Sequence, residues 1–229
     1  MLETGSAFTK AGDLIPIEAC IHISYAEALY QTVLRLRPSV VLEVGMAFGV
    51  SSLAILSALR DSNYGGKLLS IDPHQLSGSW QGAGVASVAR ANLNESHQLF
   101  DDYDYNVLPR LLASGLEVDF AYIDGWHTFD YVLFDWWYVD KMLRTGGIVA
   151  FNDCAWPAVD KAIRFVLTHR KYIEIDVGLD TEFATQGRRR ELLRLLALGT
   201  KRRWYRRAED RYFAKQADWE PKWDFFAPF

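Results

Sequence analysis

A glycine-containing stretch near the start of the chain, residues 39–54, limits the possible folds more than any other feature. Its first part, Val40–Val44, is a short run of β-branched and apolar residues, which predicts a strand buried on both faces in a parallel sheet. Gly45 and Gly49 follow, and from Val50 the apolar residues recur at helical spacing. Strand, glycine turn and helix are therefore expected. Such a turn directs unpaired N–H groups and the positive end of a helix dipole at a bound carboxylate or phosphate.

The spacing of this turn narrows the class of ligand. The pattern that begins at Glu43 is E-x-G-x-x-x-G-x-S, whereas dinucleotide folds show G-x-G-x-x-G. Asp72 follows the next predicted strand, Lys67–Ile71, at about the interval where an acidic residue takes ribose hydroxyls. Glu43 suits an ammonium group. An amino acid joined to a nucleoside fits this set better than a pyrophosphate does.

The segment resembles the first motif of class I S-adenosylmethionine (AdoMet) methyltransferases, most closely the branch that contains catechol O-methyltransferase. The alternative is any βαβ unit with a glycine turn. The resemblance implies that the methionine end of AdoMet is held by Glu43, Gly45, Gly49 and Ser51, and the ribose by Asp72. The predicted cofactor-binding set also includes Ala47, His74 and Asp124. In related enzymes the loop after the third strand touches adenine, which makes Asp104 and Tyr105 further candidates.

Length and composition agree with one domain in a reducing compartment. The chain has 229 residues, 50% of them hydrophobic, which is enough for one full core. A net charge of −4 and a pI near 5.7 give no reason to expect nucleic-acid binding. Two cysteines, Cys20 and Cys154, do not suggest a disulfide framework. With no signal-peptide pattern and no apolar run long enough to span a membrane, we expect a soluble, cytoplasmic protein.

Strands and helices alternate along the rest of the chain. Beyond the first two strands, further strands are predicted over 103–107, 118–123, 148–151 and 172–177, and helices over 18–36, 85–99, 108–113, 132–142 and 159–169. This alternation predicts an α/β fold with a doubly wound, mostly parallel, Rossmann-like sheet. The antiparallel seventh strand that is usual in methyltransferases is not obvious, and 183–185 is the best fragment for it.

The predicted single domain, 1–229, has three parts. Residues 1–38 are an N-terminal helical cover, 39–177 are the cofactor-binding core, and 178–229 are a helical and aromatic C-terminal tail. Within the tail, 188–211 has the pattern of a basic amphipathic helix, which is either a solvated face or a contact for an acidic, phosphate-bearing acceptor. The aromatic residues at its end are too apolar to remain free in solvent, so we expect them to cover the active site or to form a dimer interface. They are Trp219, Trp223, Phe225, Phe226 and Phe229.

Acidic and amide side chains follow two neighbouring predicted strands. Asp124 ends the fourth strand, and Asn152 and Asp153 end the fifth. Because the carboxyl ends of neighbouring parallel strands converge, three oxygen-bearing side chains face one point, which suits Mg²⁺. Asp and Asn also commonly close strands as turn residues. Catechol and sugar O-methyltransferases place metal ligands at these strand ends, but the catechol branch has Asp-Asn where this chain has Asn-Asp, so the direct ligand stays open.

His127 is the predicted general base. Transfer of a methyl group from sulfonium to a hydroxyl oxygen gains from a positioned base, and imidazole accepts a proton near neutral pH. Catechol enzymes have a lysine three residues after the first metal aspartate, whereas macrolide-sugar O-methyltransferases resemble this chain in having a histidine. That resemblance implies a less acidic hydroxyl, such as one on a sugar. A purely structural His127 is the alternative.

Three tryptophans, Trp80, Trp126 and Trp156, are candidates for the wall of an acceptor pocket, but composition does not name the acceptor. The predicted function is AdoMet-dependent O-methylation of a small-molecule hydroxyl, with Mg²⁺ and His127 assisting. Three alternatives remain open at this stage: a phenolic or catechol-type methyltransferase, an NAD-binding oxidoreductase, and a non-catalytic AdoMet-binding module.

Overall fold

The centre of the protein is a seven-stranded sheet. The structure, a computed structural model, describes residues 1–179 and 210–229. A short hairpin, β1 (Ser6–Phe8) and β2 (Leu14–Pro16), precedes the sheet strands β3 (Val40–Val44), β4 (Lys67–Ile71), β5 (His97–Phe100), β6 (Val118–Ile123), β7 (Leu143–Phe151), β8 (Tyr172–Ile175) and β9 (Arg211–Lys215). The order across the sheet is β5-β4-β3-β6-β7-β9-β8, and the first five strands in this order are parallel to one another. The predicted α/β fold with a mostly parallel sheet is confirmed.

Helices cover both faces of the sheet. They are α1 (Ile23–Leu36), α2 (Val50–Ser62) and α3 (Ala83–Arg90) on one face, and α4 (Asp104–Ala113), α5 (Phe129–Met142) and α6 (Pro157–His169) on the other. Side chains of a strand alternate between the two faces, so Val41 packs with α1 and α2, whereas Leu42 and Val44 pack with α5 and α6. Within 1–179 and 210–229, no helix combines the length and the apolar character needed to cross a membrane.

The parallel strands end side by side at the edge where the candidate site lies. The backbone N–H of Gly45 donates to Ile71 (2.9 Å), that of Asp124 to Val44 (2.8 Å) and that of Asn152 to Ile123 (3.1 Å). The chain leaves β3 toward β4 on one side and later adds β6 on the other side. The sheet therefore has its topological switch point between β3 and β6, which is where open α/β sheets bind ligands.

The third strand differs from its prediction. It is β5, 97–100, and not 103–107, and the helix predicted over 85–99 ends at Arg90. Asn92 has a left-handed backbone (φ 55°), which ends the helical path, and β5 then pairs in parallel with β4. Residues 104–107 instead begin α4. Four residues with weak strand propensity become a strand here because β4 offers them an open edge.

The antiparallel strand lies at the end of the chain. β9 pairs antiparallel with both β7 and β8, so it separates them in the sheet. The fragment predicted for this strand, 183–185, and nearly all of the predicted basic helix, 188–211, lie outside the described residues. At the far end of that predicted helix, Arg211 is the first residue of β9 and not part of a helix.

The described end of the chain packs against α5 and α6 and contains no helix over 216–229. Phe229 meets the ring of Phe165 edge-on (centroids 5.1 Å apart), and Phe225 meets His169 in the same way (5.4 Å). Trp223, in contrast, is 98% exposed. Some of the aromatic residues of the tail thus pack against helices of the chain itself. The expected cover of the active site or dimer interface stays a prediction, and the helical character predicted for the tail is absent from this described part.

Lys215 links the last strand to the end of α5. Its side chain is buried, and its Nζ donates to the carbonyl oxygens of Asp140 (2.6 Å) and Leu143 (2.8 Å) and pairs with Asp218 (2.5 Å). Asp140 lies in the last turn of α5 and Leu143 is the C-cap of this helix, so Lys215 supplies a donor at the helix end, where carbonyl groups lack helical N–H partners.

We expect Lys215→Met to lower the free energy of unfolding by about 3 kcal/mol, because it leaves buried acceptors without their charged donor. Urea unfolding of this variant should be compared with that of Lys222→Met, which removes the same group from an exposed position in the tail. Equal midpoints for the two variants would contradict this role of Lys215.

Candidate active site

The turn after β3 contains three residues with a left-handed backbone. Gly45, Ala47 and Gly49 have φ values of 89°, 45° and 82°. A Cβ on Gly45 would lie 2.0 Å from the carbonyl oxygen of Asp124, so only glycine permits the end of β3 to lie this close to the end of β6. Gly49 is the N-cap of α2, so the positive end of that helix begins at the turn.

Asp72, at the end of β4, ties this turn to the neighbouring strand. Its Oδ2 accepts hydrogen bonds from the backbone N–H groups of Met46 (3.1 Å) and Ala47 (2.8 Å), and its Oδ1 accepts one from the N–H of His74 (2.9 Å). The carboxylate is buried and its orientation is fixed. A carboxylate has about four acceptor sites, so Oδ1 retains capacity for a hydroxyl of a ligand.

Glu43 does not reach the cavity, which corrects the predicted contact with the methionine end. It is completely buried, and its carboxylate accepts hydrogen bonds of 2.6 Å from the hydroxyls of Ser51, Ser52 and Ser70. Because side chains alternate along β3, Glu43 points to the same face as Val41, toward α2. Burial raises the pKa of Glu43 to about 7, against the lowering effect of the three hydroxyls. Ser51 is likewise occupied by Glu43.

A cavity of about 340 Å³ lies above the ends of β3, β4 and β6. Five of the predicted cofactor residues line it, namely Gly45, Ala47, Asp72, His74 and Asp124. Trp80 and Trp126, two of the three predicted acceptor-pocket residues, also line it, together with Tyr103, Asp104 and Tyr131. The remaining cofactor candidates, Glu43, Gly49 and Ser51, support the turn from behind. Tyr105 is exposed and stacks on Tyr103 (centroids 4.9 Å apart).

Two carboxylates and an imidazole meet at one side of this cavity. Asp124, His127 and Asp153 each offer an atom, and these atoms lie within 4.8 Å of one another. His127 Nε2 is 3.3 Å from Asp124 Oδ1 and 3.4 Å from Asp153 Oδ2. Because Asp124 also lines the cavity, the cluster and the cavity share one side chain.

Electrostatics couple the three groups. Burial alone would lower the pKa of His127, but the hydrogen bond to Asp124 and the charges of both aspartates outweigh it, so the pKa of His127 is raised. Burial raises the pKa of Asp124 to about 6, although the contacts with His127 act in the opposite direction. An imidazolium formed here is thus stabilised by two adjacent carboxylates.

Asn152 is turned away from the cluster, in contrast to its predicted role as a metal ligand. Its side chain is buried and its Nδ2 donates to Asp210 Oδ1 (2.7 Å), and the hydroxyl of Tyr122 donates to the same carboxylate (3.2 Å to Oδ2). Asp153 has a left-handed backbone (φ 53°), which is unusual for a non-glycine residue and turns its side chain toward His127. Of the Asn-Asp pair, Asp153 is the residue placed to bind a cation.

The third predicted acceptor-pocket residue, Trp156, does not line the cavity but lies beside His127, with ring centroids 5.3 Å apart. Trp126 and Trp156 are 64% and 54% exposed. Trp80 instead packs edge-on against Phe48 (5.2 Å), near the N-terminal hairpin. The ring of Trp156 therefore flanks the acid and imidazole cluster, while Trp126 lines the cavity that Asp124 also lines.

Asp210 was missed by the sequence analysis, because it lies 58 positions after Asn152 and only the pairing of β9 with β7 brings it to the site. Burial raises the pKa of Asp210 to about 8, and the hydrogen bond from Asn152 opposes that shift. Tyr131 was also missed, although its position in the first turn of α5, shortly after Asp124, places it near the end of β6.

Comparisons with known proteins agree with this architecture. Residues 42–154 match a family model described as a methyltransferase domain. This match, which covers just under half of the chain, supports the methyltransferase that the first motif predicted and gives no support to an oxidoreductase.

Solved structures share the fold at low sequence identity. One is an O-methyltransferase from Bacillus cereus in complex with S-adenosylhomocysteine (SAH), with a TM-score of 0.60 and 16% identity, covering 69% of this chain and 75% of that one. Another is the O-methyltransferase TomG from Streptomyces achromogenes, involved in tomaymycin synthesis and in complex with AdoMet, with a TM-score of 0.56 and 16% identity, covering 86% of this chain and 82% of that one. None of the curated protein sequences compared with the chain matches it.

The burial of Glu43 predicts a specific pH dependence of stability. Since its pKa is raised from 4.5 to about 7 on folding, its stabilising contribution is full below about pH 4.5 and is lost as the pH rises through 7. Glu43→Gln cannot titrate, so the stability of the wild type relative to this variant should fall between pH 5 and pH 8, by at most about 1.4 kcal/mol per pH unit.

Urea unfolding across this pH range measures the difference. Glu117→Gln removes the same charge from an exposed position and controls for net charge. If the free energy of unfolding of the wild type minus that of Glu43→Gln instead stays constant with pH, the carboxyl of Glu43 does not change its proton affinity on folding.

Proposed function

We propose that this chain transfers a methyl group from AdoMet to a hydroxyl oxygen of a small molecule. The observation that carries this proposal is the position of Asp124, which lines the cavity beside the glycine turn and also contacts His127. A cofactor in the cavity and a hydroxyl held by the cluster would therefore be adjacent, which is the arrangement that direct methyl transfer requires.

The residues around the cavity fit AdoMet. Gly45 and Ala47 of the glycine turn line it, and the buried Asp72 retains acceptor capacity for ribose hydroxyls. Asp104 lies at the far side of the cavity, after β5, where the adenine would extend. Bound AdoMet supplies an electrophilic methyl group on a sulfonium. Glu43 contributes indirectly, since it fixes Ser51 and Ser52 in the first turn of α2.

The acid and imidazole cluster supports a divalent cation as a second cofactor. Carboxylate oxygens of Asp124 and Asp153 are ligands that Mg²⁺ prefers, and a cation there would stabilise the negative charge that develops on the acceptor oxygen. Asn152 is not part of this ligand set, because its amide is bonded to Asp210.

His127 then acts as the general base. Its Nε2 faces both carboxylates, so a proton that it takes from the acceptor hydroxyl is stabilised by their charges. The same nitrogen cannot bind a cation and accept a proton. We assign the proton transfer to His127 and the cation to the two aspartates, a division of roles that the experiments below separate.

The acceptor is proposed to be a sugar or another natural product with a weakly acidic hydroxyl. The histidine at position 127 supports this class, as do the exposed faces of Trp126 and Trp156, on which the ring of a sugar or an aromatic compound can stack. The involvement of TomG in tomaymycin synthesis also favours a natural product. A phenolic acceptor remains the second candidate, since phenols ionise more readily and depend less on a base.

Two further predictions concern partners and location. The exposed Trp223 and Phe226 leave an apolar surface on the tail that supports a homo-oligomer. A cytoplasmic location and the division of the chain into cover, core and tail also remain predictions.

We expect His127→Ala to lower turnover of a sugar hydroxyl by about 10²- to 10⁴-fold, the range typical for loss of a general base. AdoMet affinity and Mg²⁺ affinity, both measured by calorimetry, should stay within about twofold of wild type. A loss of Mg²⁺ affinity in parallel with turnover would identify His127 as a ligand and overturn its role as base. Near-normal turnover on phenols alone would favour the phenolic alternative.

We expect EDTA to abolish methyl transfer and added Mg²⁺ to restore it. Asp153→Asn should weaken Mg²⁺ binding by about 10-fold or more, because an anionic ligand is lost. Asn152→Ala should keep Mg²⁺ affinity while lowering the free energy of unfolding, because it removes the shorter of the two side-chain hydrogen bonds to the buried Asp210 and leaves only that from Tyr122. Activity that is insensitive to EDTA would exclude the cation but not methyl transfer. AdoMet binding without transfer to any acceptor would indicate a non-catalytic module.

A further inference from the structure

A buried glutamine lies behind the glycine turn, and the proposed chemistry does not use it. Gln75 follows Asp72 by three residues, is completely buried and does not line the cavity. Its Nε2 donates to the carbonyl oxygen of Ala47 (2.5 Å) and to Asp72 Oδ2 (3.3 Å). Ala47 and Asp72 both line the cavity, so one amide connects two parts of its wall.

The two acceptors decide how this amide is oriented. A carbonyl oxygen and a carboxylate oxygen both accept, so the N–H₂ end of Gln75 must face them. Its Oε1 is then turned the other way, and among the residues that the structure describes no group donates to it. A buried acceptor without a donor is costly. An apolar side chain would avoid that cost, so the amide is not explained by packing alone.

Gln75 holds a strained residue of the turn. Ala47 has a left-handed backbone (φ 45°), which a residue with a Cβ keeps only where its surroundings hold it. Its N–H donates to Asp72 Oδ2 (2.8 Å), and its carbonyl accepts from Gln75, so both of its backbone polar groups are held. The carbonyl and the N–H of a trans peptide unit point in opposite directions. The contact therefore also fixes the N–H of Phe48, which points away from Gln75.

The neighbouring helix encloses the same contact. A Cβ on Gly84, in the first turn of α3, would lie 2.6 Å from the carbonyl oxygen of Ala47 and 2.9 Å from Gln75 Oε1. The backbone of α3 therefore lies directly against the amide. The carbonyl oxygen of Gln75 also accepts a hydrogen bond from the N–H of Gly82 (2.5 Å), which closes the loop that carries Trp80 to the cavity wall. Gln75 thus connects the glycine turn, Asp72 and this loop.

We propose, on the basis of the AdoMet site described above, that Gln75 is a positioning residue for the cofactor. Its amide fixes the carbonyl of Ala47 and the carboxylate of Asp72 relative to each other, so that the turn and the aspartate face the cavity together. A nucleoside that carries an amino acid needs both at once, because the turn serves its carboxylate and Asp72 its ribose. Gln75 itself does not touch the ligand.

Binding of two ligands tests this role. SAH contains both the amino acid and the nucleoside, whereas adenosine contains the nucleoside alone. We expect Gln75→Met, which has a similar volume and no donor, to weaken SAH binding by about 10-fold or more, because the carbonyl of Ala47 loses its partner and the turn its fixed shape. Adenosine affinity should stay within about threefold of wild type, since backbone N–H groups still hold Asp72. Calorimetry measures both dissociation constants.

Gln98→Met is the matched control, because it makes the same change at an exposed position of β5. Its affinities for SAH and for adenosine should equal those of wild type. Unchanged SAH affinity in Gln75→Met would overturn the proposal. An equal loss of SAH and adenosine affinity in that variant would overturn it as well, because a general disturbance of the cavity does not distinguish the two ligands.

Gln75→Glu gives a readout that does not need Gln75→Met to fold. A protonated glutamic acid has an O–H to donate to the carbonyl of Ala47, whereas an ionised one meets the carboxylate of Asp72 as a like charge. The SAH affinity of this variant, divided by that of wild type at the same pH, should therefore rise about 10-fold or more as the pH is lowered from 8 to 5. A ratio that is the same at every pH contradicts the proposal.

The wild type separates this role from the proposed function. If wild type binds neither SAH nor adenosine, the proposed AdoMet site is wrong, and the role of Gln75 is wrong with it. If wild type binds both ligands and the variants at position 75 bind them equally well, only the role of Gln75 is contradicted.

Discussion

The close approach of Gly45 to the backbone of Asp124 is the constraint on which the site depends. With a Cβ, residue 45 would lie 2.0 Å from the carbonyl oxygen of residue 124, so glycine is what allows the ends of β3 and β6 to meet at the switch point of the sheet. This contact places the glycine turn next to the aspartate that contacts His127. If the two ends lay farther apart, a ligand held by the turn would not reach the acid and imidazole cluster.

Buried acids behind the visible site hold its parts in place. Glu43 binds the hydroxyls in the first turn of α2, and Asp210 binds Asn152 beside the strained backbone of Asp153. Asp135 is buried in α5 behind the cavity wall at Gly125. Each of these groups is costly to bury, and each lies beside a residue that lines the cavity or supports its wall. The rigidity of the site therefore depends on side chains that a substrate does not touch.

The residues that line the cavity were largely predictable from sequence, because local patterns define them. The glycine spacing gave the turn after β3, and single aspartates after the strands gave Asp72 and Asp124. The orientation of Glu43 was not predicted. Its carboxylate suits the ammonium group of AdoMet, but alternation along β3 points it to the face of Val41, away from the cavity. β5 and β9 were missed because their residues become strands through pairing with distant partners, which composition does not reveal.

The cavity and the turn that carries Asp153 also differ in how much of the chain is required to form them. The cavity is lined by residues between Val44 and Tyr131, so local strand and helix units suffice to build it. The position of Asn152, and with it the turn that carries Asp153, depends on Asp210, which reaches the site only when β9 inserts between β7 and β8. Insertion of β9 is a long-range event in folding, so the turn that carries Asp153 should form after the cavity. A change near the end of the chain can consequently alter this turn while the cavity stays intact.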